Sequence, residues 1–221
     1  MTKTQIMQRL EASGSDQTRK IFARHGVQSD FYGASHGELV KLKRAIKVDH
    51  ALAEELWATG IFDARYLATM IADPAAMTSK RLNAWVRDLD CYPLTDGFAA
   101  LAVQCRAAGS CMKRWTVAKG EWVGQAGWWL LSNFARNADR YPDSFFEEYL
   151  DAIESRIHGS KNRVRHSMNG ALISIGIRNP QLRQKALAAA RRIGKVEVDH
   201  GKTSCKTPEA VAAIQKEWRK R

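Results

Sequence analysis

The chain is built of short helix-period runs separated by tight turn signals, and this rhythm restricts the possible folds more than any other feature of the sequence. Apolar residues recur at three- and four-residue spacing in runs of roughly 10–16 residues. Ser13-Gly14-Ser15 breaks the first pair, Ile6/Leu10 and Ile21/Phe22 marking the two apolar faces. Ser35, with Glu38 three residues on, has the pattern of a capping box ahead of Leu39 and Leu42. Asp49-His50 opens the next run, closed at Gly60; Asp63 opens another, closed at Asp73-Pro74; Thr78 starts the run through Trp85. Helices are expected at 113–118, 121–135, 144–158, 162–177 and 180–193, and Thr207-Pro208 opens the last. Only Lys195-Val196-Glu197-Val198 has strand character, and it is too short to imply a sheet. About ten helices joined by short turns predict an all-α fold, read as a single domain over residues 1–221. Helices paired in series fit a solenoid; a compact orthogonal bundle would give the same pattern.

The charge is unevenly placed. Residues 1–110 hold 14 Lys and Arg against 12 Asp and Glu, whereas residues 111–221 hold 21 against 11. A net charge of +12 with most of the excess in one half points to a polyanionic partner, nucleic acid ahead of a membrane surface, met mainly by the C-terminal half. Arg156, His158, Lys161, Arg163, Arg165 and His166 form the densest basic run, and phosphate contacts are expected there. The start of the chain has no apolar core of signal-peptide length, and no segment approaches roughly 18 apolar residues, so a cytoplasmic protein is expected. Cys91, Cys105, Cys111 and Cys205 form no CxxC pair and read as buried free thiols. His200 and Cys205 are too few ligands for a metal site, and neither metal nor cofactor is expected. His36 and His50 read as helix-start residues, Trp128 and Trp129 as core, and Trp218 as an anchor for the last helix.

Asp96 carries the chemical interest. Thr95 is a good N-cap type ahead of the apolar run Phe98 to Val103, which would put Asp96 in a first helical turn where the dipole favours a carboxylate. Taken alone, that reading makes Asp96 an ordinary helix-start residue.

Several stretches resemble the DNA alkylation repair family typified by AlkD, which are HEAT-repeat-like DNA glycosylases. They are Phe31-Tyr32-Gly33 with Gly37-Glu38-Leu39, the run from Asp49 to Gly60, the run from Ala64 to Pro74, Trp85 to Asp90 leading to Asp96, Asn162-Arg163-Val164-Arg165 through Asn169, and the tail from Ile193 to Lys206. The resemblance covers roughly residues 30–215 and implies a C-shaped stack of helical hairpins, a HEAT-like solenoid whose basic concave face holds duplex DNA. It implies that Asp96 is the catalytic aspartate. Where the family usually has Trp four positions earlier, this chain has Tyr92; an Arg position is occupied by Gln125, and a second Trp position by Gly170.

A purine alkylated at N3 or N7 is already cationic, so the enzyme need only stabilise the developing sugar cation. A carboxylate does this electrostatically and orients the attacking water, and the face of Tyr92 adds cation–π stabilisation of roughly 0.5–2 kcal/mol. Gln125 has neither the charge nor the planar donor fork of the Arg it replaces. The sequence therefore predicts a monomeric DNA repair protein acting on damaged or distorted duplex DNA, with Asp96 and Tyr92 at the chemistry. Gln125, Lys161, Arg163, Arg165 and His166 are the predicted DNA contacts. The alternative is a catalytically weakened relative that binds damaged, bent or branched DNA, and a helical-repeat adaptor for an acidic protein is a third class.

Overall fold

A computed structural model describes residues 1–137 and 141–220. Thirteen α-helices and no strand occur among them, the nearest approach to sheet being one isolated bridge between Gly14 and Ala34. The helix-rich expectation holds, and Lys195 to Val198 is not a strand, for it has no extended partner to pair with. No helix among the described residues is long and apolar enough to cross a membrane. The chain divides into two compact units, residues 1–111 with 201–203 and residues 112–200 with 204–221.

The first unit contains α1 (Lys3–Ala12), α2 (Asp16–Arg24), α3 (His36–Ile46), α4 (His50–Trp57), α5 (Phe62–Ile71), α6 (Ser79–Trp85) and α7 (Tyr92–Ala102), with a 3-10 turn at Val86–Asp88. Most starts follow the capping signals. Ser15, Ser35, Asp49 and Thr78 are N-caps whose side chains accept backbone N–H bonds. The expected box at Ser35 is half formed, because the Glu38 carboxylate turns outward to Arg9 at 2.7 Å. The complete box lies at the chain start, where Thr2 and Gln5 each accept the other's backbone N–H.

Helix α5 is the centre of this unit, packing on α3, α4 and α7 with Leu67, Ala68 and Ile71 fully buried. Asp63, expected to open that helix, has a different role: it is fully buried and accepts the Tyr32 and Ala34 N–H groups at 2.8 and 2.7 Å. Burial raises its pKa although these bonds oppose the shift. Gly33 between them has φ +86°, and a Cβ there would stand 2.6 Å from Arg19 Cγ, so the Phe31–Ala34 turn needs glycine for conformation and for space.

Helix α8 (Ala108–Trp115) spans the division, and starts earlier than the expected 113. The second unit continues with α9 (Glu121–Asn137), α10 (Asp143–Arg156), α11 (Asn162–Gly176), α12 (Pro180–Ile193) and α13 (Ala210–Trp218). Helices α9 and α11 share its largest helix–helix contact. Glycines permit close approach along α9, Gly124 to α11 and Gly127 to the end of α8. A Cβ on Gly124 would stand 2.8 Å from Val164 Cγ2, and one on Gly127 would stand 2.5 Å from the Thr116 backbone nitrogen. Farther along, the Ser132 and Ser174 hydroxyls bond at 2.7 Å and Arg136 Nε donates to Ser174 at 2.8 Å. Trp128 is fully buried as expected, whereas Trp129 is half-buried.

The segment after α12 is held down on α11 by side-chain bonds. Asn162 and Asp199 bond reciprocally at 2.7 Å, and Asn169 donates to the Pro208 carbonyl at 2.9 Å. Thr207, expected to open α13, instead bridges His166 and His200 through its hydroxyl at 3.2 and 2.9 Å, and Glu209 caps the helix. Arg183 lies over the Trp218 ring at 5.0 Å, which gives Trp218 its anchoring role. Three cysteines are buried as expected, but Cys205 is exposed.

Candidate functional site

Asp96 is the fifth residue of α7, one turn later than the sequence implied. The helix begins at Tyr92 with Pro93 in its first turn, where the missing N–H and fixed φ of proline suit a helix start. Thr95 is therefore interior and buried, and its hydroxyl bonds back to the Cys91 carbonyl at 2.8 Å rather than capping. This correction removes the dipole argument for Asp96, since that effect fades within the first turn.

The approach to α7 is tied down by ring stacking and hydrogen bonds. Trp57 and Trp85 stack with centroids 4.0 Å apart, and the Trp57 indole N–H donates to Asp88 at 2.8 Å. Arg65 lies 5.4 Å over Trp57 and donates to the Trp57 and Asp88 carbonyls. Asp90 accepts the Ser29 N–H at 2.8 Å. The two carboxylates before α7 thus serve structure. Cys91, buried at the N-cap, has its thiol pKa pushed up by burial.

Asp96 and Tyr92 line the same cavity, of about 340 Å³, together with Phe22 from α2, His25 at the C-cap of that helix, His36 from α3, and Phe62 and Tyr66 from α5. The Tyr92 hydroxyl and His25 Nδ1 share a hydrogen bond. Tyr66 lies edge-on to His36 and tilted against Phe62, with centroids 6.0 and 5.9 Å away. Its hydroxyl is held protonated by burial, reinforced by the negative charge of Asp96. Gly97 makes room for that ring, since a Cβ there would stand 3.2 Å from Tyr66 Cε2. Asp96 and Tyr92, paired in the sequence reading, are brought together here. His25, Tyr66 and Phe62 were not legible as site residues: they come from other helices and no spacing links them to Asp96. His36 does begin α3, and it also forms part of this wall.

The expected DNA contacts are distributed differently. Gln125 is buried in α9. Lys161 is exposed at the N-cap of α11. Arg163, Arg165 and His166 are half-buried on α11, Arg163 donating from Nη1 toward His200 at 3.4 Å and from its backbone to Glu121 at 2.7 Å. Burial, helped by His200 and Arg163, lowers the His166 pKa to about 4, so this residue is neutral near pH 7 and carries no charge for phosphate. Of the rest of the basic run, Arg156 donates to the Thr116 carbonyl at 3.1 Å, and His158 bonds the Ile193 carbonyl at 2.9 Å. A second cavity of about 460 Å³ gathers Lys119, Arg156 and Lys161 with Ser155 and Ser160. Lys119 is the contributor that sequence inspection missed. Gly170 is half-exposed, with open space where a Cβ would stand.

Comparison with known proteins identifies the family and the fold. The sequence model of a family described as DNA alkylation repair enzyme matches residues 6–214. Protein Lin0241 of Listeria innocua is 33% identical over 98% of this chain and 97% of its own length, and Lmo0209 of Listeria monocytogenes is 31% identical over the same shares. One solved structure covers 100% of this chain and 95% of its own, at 30% identity and a TM-score of 0.90. It belongs to a family of proteins related to the HEAT-like repeat DNA glycosylases with affinity for branched DNA structures.

Proposed function

The chain belongs to the DNA alkylation repair enzyme family and has the HEAT-like repeat fold, and we propose that within this family it is a binder of branched or otherwise distorted DNA. The observation that carries the proposal is the full-length likeness to a solved relative whose family has affinity for branched DNA. Two residues support it: Gln125 and Gly170 stand where the family resemblance implies an Arg and a Trp, so the groups that would grip a lesion-bearing strand are missing. Affinity comes from backbone phosphates, drawn to the basic second unit and to the Lys119, Arg156 and Lys161 cavity in particular. A branch point concentrates phosphates from several strands, which favours a diffusely basic protein without a major-groove reading element. Fluorescence anisotropy on a four-way junction and on a linear duplex of equal length, at two salt concentrations, tests the proposal. Tighter junction binding that weakens steeply with salt is expected; equal affinity for both would count against it.

The glycosylase reading keeps one observation in its favour, the presence of Asp96 with Tyr92 in a single cavity. Under it, the carboxylate stabilises a sugar cation as the alkylated purine departs. A base-release assay on methylated DNA, wild type beside Asp96→Asn, separates the two. Release by wild type that the substitution abolishes would establish catalysis.

A further inference from the structure

The cavity beside Asp96 has a wall chemistry that phosphate binding does not use. Phe22, Phe62, Tyr66 and Tyr92, with the imidazoles of His25 and His36, surround it with ring surface, while Asp96 contributes the carboxylate. Its volume, about 340 Å³, lies at the low end of the range for ligand sites, enough for one flat ring system rather than a whole nucleotide. Aromatic walls with polar groups that read the base edge are the means by which proteins hold a base removed from its stack. We propose that this cavity receives a single unpaired nucleobase from the branch point of bound DNA, and that Asp96 selects bases presenting donors on their pairing edge, guanine above all. The inference rests on the DNA-binding reading given above.

The selectivity follows from the donor inventory. A carboxylate is an acceptor with two oxygens. Guanine offers a ring N–H and an adjacent amino group side by side, matching both oxygens, whereas thymine flanks its one N–H with two carbonyls that the carboxylate repels. The Tyr66 hydroxyl, kept protonated, supplies a donor for a remaining carbonyl of the base. Branch points supply such bases cheaply, because an already unpaired nucleotide has little stacking to give up.

The test uses the full chain and three otherwise identical junctions with one extra nucleotide at the branch: guanine, thymine or an abasic spacer. Anisotropy competition should rank guanine about ten-fold tighter than the abasic spacer, with thymine close to the spacer. Asp96→Asn should narrow the gap between guanine and thymine. Leu39 on α3 also lines the cavity, and Leu39→Trp, which fills it, should bring the guanine-to-spacer ratio to one, with circular dichroism confirming that the variant is folded. Should Leu39→Trp fail to fold, the Asp96→Asn comparison decides. Wild-type binding that is equal for all three junctions overturns the cavity assignment while leaving junction binding intact. A gap between guanine and thymine that survives Asp96→Asn also overturns it. Absence of binding to any junction overturns both readings.

Discussion

The two units of this protein differ in what their residues are suited to do. The first is nearly charge-balanced, with 15 Lys and Arg against 12 Asp and Glu, and holds a walled cavity with Asp96 and Tyr92. The second carries 20 against 11, closes its helices tightly on glycines and holds the basic cavity. Both positions at which the chain departs most from the family resemblance, Gln125 and Gly170, fall in the second unit. The difference teaches that charge and chemistry vary separately here. The second unit carries the excess of positive charge together with Gln125 and Gly170, and the first carries Asp96.

The largest expected effect concerns packing. Gly127→Ala places a methyl 2.5 Å from the Thr116 backbone nitrogen, which has no side-chain freedom to yield. It should cost about 3 kcal/mol, roughly 10 °C in thermal midpoint. The matched change in the first unit, Gly97→Ala, meets Tyr66 and Thr69 side-chain atoms at 3.2 Å and should cost about 1 kcal/mol. Equal losses by calorimetry would erase the contrast.

Next comes pH. His166 has a folded pKa of about 4, below the ordinary histidine value of about 6.5. Above pH 6.5 the ring is neutral in both states and contributes nothing. As pH falls from 6.5 to about 4, the unfolded chain takes up a proton that the folded one refuses, so stability drops through that window and levels below it. The loss should reach about 2 kcal/mol, allowing for solvent screening of a part-exposed ring. Urea midpoints at pH 7.5, 6 and 4.5 measure it, and His166→Gln should flatten the profile.

Smaller effects sharpen the electrostatic side. Lys161→Glu should weaken binding to duplex and junction alike by about 1 kcal/mol and reduce the salt slope by about one. Weakening confined to one DNA sequence would contradict phosphate contact. Smallest of all, Gly170→Ala enters open space in a helix and should stabilise the protein by roughly 0.5–1 kcal/mol, seen as a small rise in thermal midpoint.

Helix starts at Ser35, Asp49 and Thr78 were legible because each is a local cap whose side chain bonds within three residues. The start of α7 was misread, since Thr95 resembles a cap but Pro93 sets the helix going first. Asp63 was misread for a related reason: its partners, Tyr32 and Ala34, lie far away in sequence, and a local rule cannot see them. The same limit hid the aromatic wall around Asp96, which four helices assemble, and the loss of charge at His166, which burial imposes. The basic run read as one surface because sequence counts charges without showing which already have partners, as Arg156 and Arg163 do.

We propose that branched DNA, not an alkylated base, is what this protein recognises. A single competition titration tests it most directly: a labelled four-way junction bound to the protein, displaced by unlabelled junction, plain duplex or methylated duplex. Junction should displace best, and methylated and plain duplex should displace equally weakly. Methylated duplex displacing more effectively than junction would contradict it.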